Sequence, residues 1–372
     1  MRAPSITFAT LASLALVACG PAAQQGADDP VTGDDVVNID DLVDADSDAT
    51  GAIQVGDPAL FLGAARSQVD TTNAHLKSAL EVVRAVVGGR EPDGKGIGKR
   101  GFAYAYWDHD VDGKQVRFLV VRINKRRVRY LLAARESGGA WKGLLTGIFI
   151  KRAPHVGGGR LHISLTNASD LFGSPNADGS IHLVFANHRD DVRGRRILYL
   201  NVKDRSKPDQ PAVNYGQDIL RFPGVGGRFR GVLVTDILPG DTGPAAGIEA
   251  MAMRVFWKHG AGGRADVAIA HVAPRPVKFL GAAHECWDAQ GLRTAYADPW
   301  PDNDANNPNE GDPSDAASCA GFGKDEPGQD AASPDGQDHD PELDDLLVEA
   351  EADTITPDEA GQEEDPSLPD GA

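Results

Sequence analysis

The sequence predicts an α+β fold, in which a long N-terminal amphipathic helix packs on a curved, mainly antiparallel β-sheet or open barrel of about ten strands. Three observations predict it. Helical spacing of apolar residues is confined to one early segment. A succession of short β-type runs with turn residues between them follows. Acidic residues are concentrated at the two ends, where apolar residues are too few to build a core.

The helical segment opens at Asp57-Pro58, a carboxylate suited to an N-cap followed by proline at the first helical position. Leu60, Phe61, Ala64 and Ala65, then Leu76, Ala79, Leu80, Val83 and Val87, recur on one face, and Gly88-Gly89 ends the pattern. Thr71-Thr72-Asn73 is a place where it would divide into two helices. The predicted strands are Phe102–Trp107, Val116–Ile123, Val128–Ala134, Leu144–Ile150, Leu161–Thr166, Ile181–Ala186, Ile197–Val202, Phe229–Asp236, Ala250–Trp257 and Ala265–His271, with Leu292–Ala297 a weaker last one. Asp112-Gly113 marks a hairpin between the first two. The connections are too short for repeated βαβ crossovers, so the pairing is antiparallel.

Charge divides the chain further. Residues 20–57 hold ten Asp and no Lys or Arg. Residues 324–372 hold eighteen Asp or Glu against Lys324 alone, a net charge of −17. Between positions 58 and 279 there are 34 basic and 19 acidic residues. The chain is thus a basic body between two acidic segments, which composition predicts to be disordered. The expected boundaries are 1–18 for a signal peptide, 19–57 for a tether, 58–323 for the globular domain and 324–372 for the acidic tail.

The N-terminus carries a more specific signal. Arg2 precedes a short apolar run, Ile6 to Ala18, that ends in Leu16-Val17-Ala18-Cys19. A charged start, a short apolar stretch and a small-residue end read as a secretory signal. The last four residues resemble the lipobox of bacterial lipoproteins; the alternative is an ordinary signal peptide with an incidental cysteine. The resemblance implies that Cys19 is acylated and becomes the first residue of the mature chain, with the membrane as its partner through that lipid. Gly20, where a retention signal would place Asp, implies sorting to the outer membrane, with a palmitate-type chain as anchor. Cys286 and Cys319 remain as an even pair in an oxidising compartment, which predicts a disulfide.

The chemical motifs are sparse. Arg122, Lys125, Arg126, Arg127 and Arg129 fall at one predicted hairpin tip and Arg193, Arg195 and Arg196 at another. Such clusters suit anionic lipid or envelope polysaccharide, the alternative being solvated turns. Aromatic residues that would stack bases are not interleaved with them, so nucleic acid is not expected. Asp302-x-Asp304-x-Asn306 presents alternate oxygens that would suit weak calcium binding, and no other cofactor is expected. Asp108-His109-Asp110-Val111-Asp112-Gly113 begins like a calcium loop, but Leu119 stands where the closing carboxylate belongs. Gly224 to Gly231 precedes a strand, the wrong order for a dinucleotide fingerprint. His155 and His162 flank a glycine-rich stretch that reads as a turn. Gly-x-Ser-x-Gly, Walker and kinase signatures are absent, and His284-Glu285-Cys286 is the nearest approach to a reactive trio. The reading is a non-enzymatic envelope lipoprotein with a ligand-binding or scaffolding domain. The alternatives are a carrier of lipid or another apolar ligand and a hydrolase with a dispersed site.

Overall fold

A computed structural model describes residues 59–98, 101–153, 156–188, 192–208, 212–235, 248–273, 278–298 and 309–322. Helix α1 (Leu60–Val87) is followed by β1 (Gly94–Ile97), β2 (Ala103–Val111), β3 (Lys114–Arg122), β4 (Arg127–Arg135), β5 (Lys142–Ala153) and β6 (Val156–Ser164). After α2 (Leu165–Phe172) come β7 (Ala177–Asn187), β8 (Arg193–Asp204), β9 (Val213–Phe222), β10 (Gly226–Thr235), β11 (Ile248–Lys258), β12 (Gly262–Ala273), β13 (Lys278–Asp288) and β14 (Arg293–Ala297). All fourteen strands belong to one sheet, and each is hydrogen-bonded to its neighbours in chain order.

The expected α+β architecture is therefore corrected. The fold is mainly β: a single antiparallel meander of fourteen strands that does not close into a barrel, with two helices as minor elements. The expected helical layer on a ten-stranded sheet is not the organising feature. Short connections explain the meander, since antiparallel neighbours need only a tight reversal. β1, β9 and β13 lie outside the predicted strands because their sequences, GKGI, VNYGQDILRF and KFLGAAHECWD, interrupt apolar alternation with glycine and charge. Thr166 was expected in a strand but lies in α2, which Ser164 caps by accepting from the Asn167 amide at 3.2 Å.

Alternation defines two faces. Val116, Phe118 and Val120 on β3 and Val128, Tyr130 and Leu132 on β4 are buried on the core face. Two apolar clusters lie on that side, and α1 contributes to both. Leu76, Leu80, Val83 and Val86 join residues of β2 to β8, whereas Phe61, Leu62 and Ala65 join residues of β9 to β14. The helix is continuous through Thr71-Thr72-Asn73. Buried Thr72 accepts from Gln217 Nε2 at 2.5 Å and lies 3.4 Å from the Tyr199 hydroxyl, so its polar atom is satisfied by the sheet.

The glycines after His155 form no turn. Gly157, Gly158 and Gly159 lie inside β6, and the rings of Phe149 and Phe185 from the flanking strands stack 5.9 Å apart across Gly159. A Cβ at Gly159 would sit 2.9 Å from the Phe185 ring and 2.4 Å from the Ile148 carbonyl oxygen. Glycine here makes room for an aromatic pair.

Candidate functional site

In a meander the turns after odd-numbered strands share one rim and those after even-numbered strands share the other. The β3–β4 and β7–β8 turns therefore place the two basic clusters on the same rim. Lys125, Arg126 and Arg152 are exposed there, with His259 in the β11–β12 turn and half-buried Lys151, Arg193, Arg221 and Lys258 at the strand ends. At the opposite rim, acidic and basic side chains pair off: Lys114 with Glu136 at 2.7 Å, Lys142 with Asp170 at 3.1 Å, and Arg205 with Asp170 and Asp178 at 2.8 and 2.7 Å.

The strand register adds a feature on the outer face, opposite the core. Arg129 on β4 pairs with Ile148, Ile148 with Arg160 on β6, Arg160 with Val184, and Val184 with Arg196 on β8. The line continues through Asp218 to Arg230 on β10, then Arg254 on β11, Asp266 on β12 and His284 on β13. Directly opposed residues share a face, so these side chains form one row across the sheet. From β4 to β10 an arginine recurs on every second strand, at intervals of about 10 Å. Ile148, 7% exposed, is flanked by Arg129 and Arg160, whose aliphatic stems can shield it. The row beside it is mixed in polarity, running through Leu131, Thr146, His162, His182 and Leu198, the last 37% exposed.

The predicted site residues separate accordingly. Lys125 and Arg126 lie in the rim turn, Arg122 and Arg127 at the ends of the strands it joins, Arg193 at the same rim, and Arg129 and Arg196 in the outer row. Arg196 also pairs with Asp218 at 2.9 Å. Arg195 turns to the core side, is 4% exposed, and donates to the carbonyls of Gly194 and Ala186 at 2.7 and 3.3 Å. Its role is structural. Arg160 and Arg230 went unremarked in the sequence because their alignment appears only when strands are paired.

At the β13 end the row is covered. Cys286 and Cys319 are joined, with Cα atoms 4.8 Å apart, and hold the segment 309–322 over this face. Arg264 donates to the Pro313 carbonyl at 2.6 Å and to Asp266 at 2.8 Å, and Arg254 to Asp266 at 3.1 Å. Burial pushes the Asp266 carboxyl up, but hydrogen bonds from His284, Arg264 and Arg254 outweigh it and hold the group well below the usual carboxylate range. The trio His284-Glu285-Cys286 is split by alternation: His284 and Cys286 face outward, and Glu285 faces the core. His284 and Asp266 are 2.7 Å apart, yet among the described residues no hydroxyl or thiol is bonded to His284, so no nucleophile completes a triad there.

Asp108 pairs with Arg117 at 2.7 Å, and Asp112 and Gly113 adopt φ of 50° and 73° as a tight hairpin turn, so this stretch forms a reversal rather than a calcium loop. Asp302, Asp304 and Asn306 lie outside the described residues. His162 Nδ1 and His182 Nε2 are 2.9 Å apart, but burial, reinforced by the Arg160 charge, depresses the His182 pKa, and that same charge opposes a cation. Among the described residues no group of three or more His, Cys, Asp or Glu is arranged to hold a metal ion. No described helix is long and apolar enough to cross a membrane.

No protein-family model, curated protein or solved structure matches the chain.

Proposed function

We propose that this is a non-enzymatic cell-envelope lipoprotein whose β-rich domain binds an anionic lipid surface through the arginine row and the basic rim. The observation that carries the reading is the row itself, an arginine on every second strand from β4 to β10. Guanidiniums suit phosphate oxygens. Chain geometry supports the same orientation. The Ala59 amide bonds to the Gly291 carbonyl at 3.1 Å, in the β13–β14 turn of the basic rim. A tether running from acylated Cys19 would thus enter the domain at the rim that carries the positive charge.

A carrier needs interior space. The described core is filled by the two apolar clusters, and the depression beside Gln68, Gln217, Phe229 and Met251, about 10 Å³, has room for no more than a water molecule. The binding reading is favoured over it.

The test is sedimentation of the mature chain with phosphatidylglycerol-containing vesicles at low ionic strength. The expected result is binding that weakens with salt and is lost in the variant Arg129→Gln/Arg160→Gln/Arg196→Gln/Arg230→Gln. Equal binding to pure phosphatidylcholine, or no effect of the four substitutions, overturns the reading. Retention on an acidic polysaccharide without vesicle binding would assign the same face to a glycan instead. For the anchor, mass spectrometry of the N-terminal peptide should show a diacylglyceryl adduct on Cys19, and Cys19→Ser should leave the chain unanchored.

A further inference from the structure

We infer that the acidic C-terminal segment, residues 324–372, docks in cis on the arginine row and rim of its own chain. The inference rests on the anion-binding reading of that face and names what controls access to it.

Three observations converge. The first is where the segment begins. The disulfide Cys286–Cys319 and the Arg264–Pro313 bond fix the preceding stretch to the outer face. Phe322, the last described residue, stacks on Phe256 with ring centroids 5.9 Å apart, and Lys258 Nζ lies 5.1 Å from the Phe322 ring. Phe256 is paired across the sheet with Arg228 on β10, next in sequence but one to Arg230. The acidic segment therefore starts on the correct face, at the basic rim, one strand from the end of the arginine ladder.

The second observation is complementarity. Asp325 and Glu326 follow almost at once, and the whole segment has a net charge of −17 with Lys324 as its one basic residue. The third is reach. From β10 to β4 the row crosses six strand spacings, about 29 Å, whereas fifty residues of chain extend up to about 165 Å. Attachment makes the encounter intramolecular, at an effective concentration on the order of millimolar, so modest attraction per charge pair is enough to hold it. The docked segment covers the groups that an external anionic surface would use, and such a surface must displace it. Rising ionic strength loosens the contact.

Zero-length carbodiimide cross-linking of the mature chain, read by peptide mass spectrometry, tests this directly. Lys258 is close to the start of the segment in any case, so Lys125 and Lys151 at the basic rim are the informative amines. Lys114, Lys142, Lys203 and Lys207 at or near the opposite rim are the internal control. The expected result is that carboxylates of 325–370 join Lys125 and Lys151 several-fold more often than the control lysines, and that the preference disappears in high salt. Equal yields at both rims, or none at Lys125 and Lys151, overturn the docking.

A second arm separates this from the proposed function. In the full chain with every Asp and Glu of 325–370 changed to Asn or Gln, vesicle affinity at low salt should rise about tenfold or more. Vesicle binding by this chain, without rim cross-links in the native one, leaves the lipid reading standing and removes the docking. Rim cross-links in the native chain, without vesicle binding by the neutralised one, keep the docking and remove the lipid reading.

Discussion

The carboxylate of Glu285 and the backbone amide of Leu60 are 2.6 Å apart although 225 residues separate them, and the Phe61 amide adds a second bond to the same carboxylate at 2.8 Å. Four amides at a helix start have no partner within the helix. Asp57 and Pro58 lie outside the described residues; Ala59 occupies the N-cap position and offers no side-chain bond, and β13 supplies the acceptor from across the fold. The negative charge also faces the positive end of the α1 dipole. This contact fixes the start of α1 to the strand that carries the disulfide on its other face.

Replacing Glu285 by Ala should destabilise the domain by about 1–2 kcal/mol, the usual cost of a lost cap. Thermal unfolding should show a fall of several degrees with secondary structure intact. An unchanged midpoint would mean that the cap contributes nothing.

Burial raises the Glu285 pKa to about 6 from an ordinary 4.5, against the opposing effect of the Leu60 and Phe61 amides. As pH rises, the unfolded chain loses this proton first. Folded stability from this group therefore declines between about pH 4.5 and 6, by about 2 kcal/mol. Glu285→Gln cannot titrate. The stability difference between the native chain and this variant, from urea unfolding, should shrink across that interval and be flat outside it.

His162 acts with the opposite sign. Burial, reinforced by His182, lowers its pKa to about 4 from 6.5. The fold keeps the ring neutral, so its contribution is full above pH 6.5 and is lost as pH falls toward 4, on the order of 3 kcal/mol. His162→Gln should flatten that limb of the stability profile. An unaltered acid limb would place the loss elsewhere.

Breaking the Cys286–Cys319 bridge, which closes a separation of 33 residues, should cost about 3–4 kcal/mol on the chain-entropy model. Because that bridge holds 309–322 over Arg254, Arg264 and Asp266, the double Cys→Ser chain should also be cut by protease in this stretch at concentrations that leave the native chain whole.

Gly159→Val should destabilise more than the same change at Gly143, near whose Cβ position nothing lies within 4 Å. The β6 site would meet a carbonyl and an aromatic ring, so a loss of several kcal/mol is expected there. Comparable losses at the two sites would show that β propensity rather than steric room decides.

By itself the sequence determined the features that are local: the helix from about 60 to 87, most strands, the Asp112-Gly113 reversal and the charge segregation. Each is written in neighbouring residues, through periodicity, turn chemistry or composition. The cysteine pair was legible as well, since only two remained once Cys19 was assigned to lipid. The tertiary structure decided what depends on register. β1, β9 and β13 carry too much glycine and charge to announce themselves and take strand form because ordered neighbours offer them a ladder. Glu285 became a helix cap, and Arg129, Arg160, Arg196 and Arg230 became a row, because pairing sets which residues face one another. One residue of slip would turn every one of those side chains to the other face.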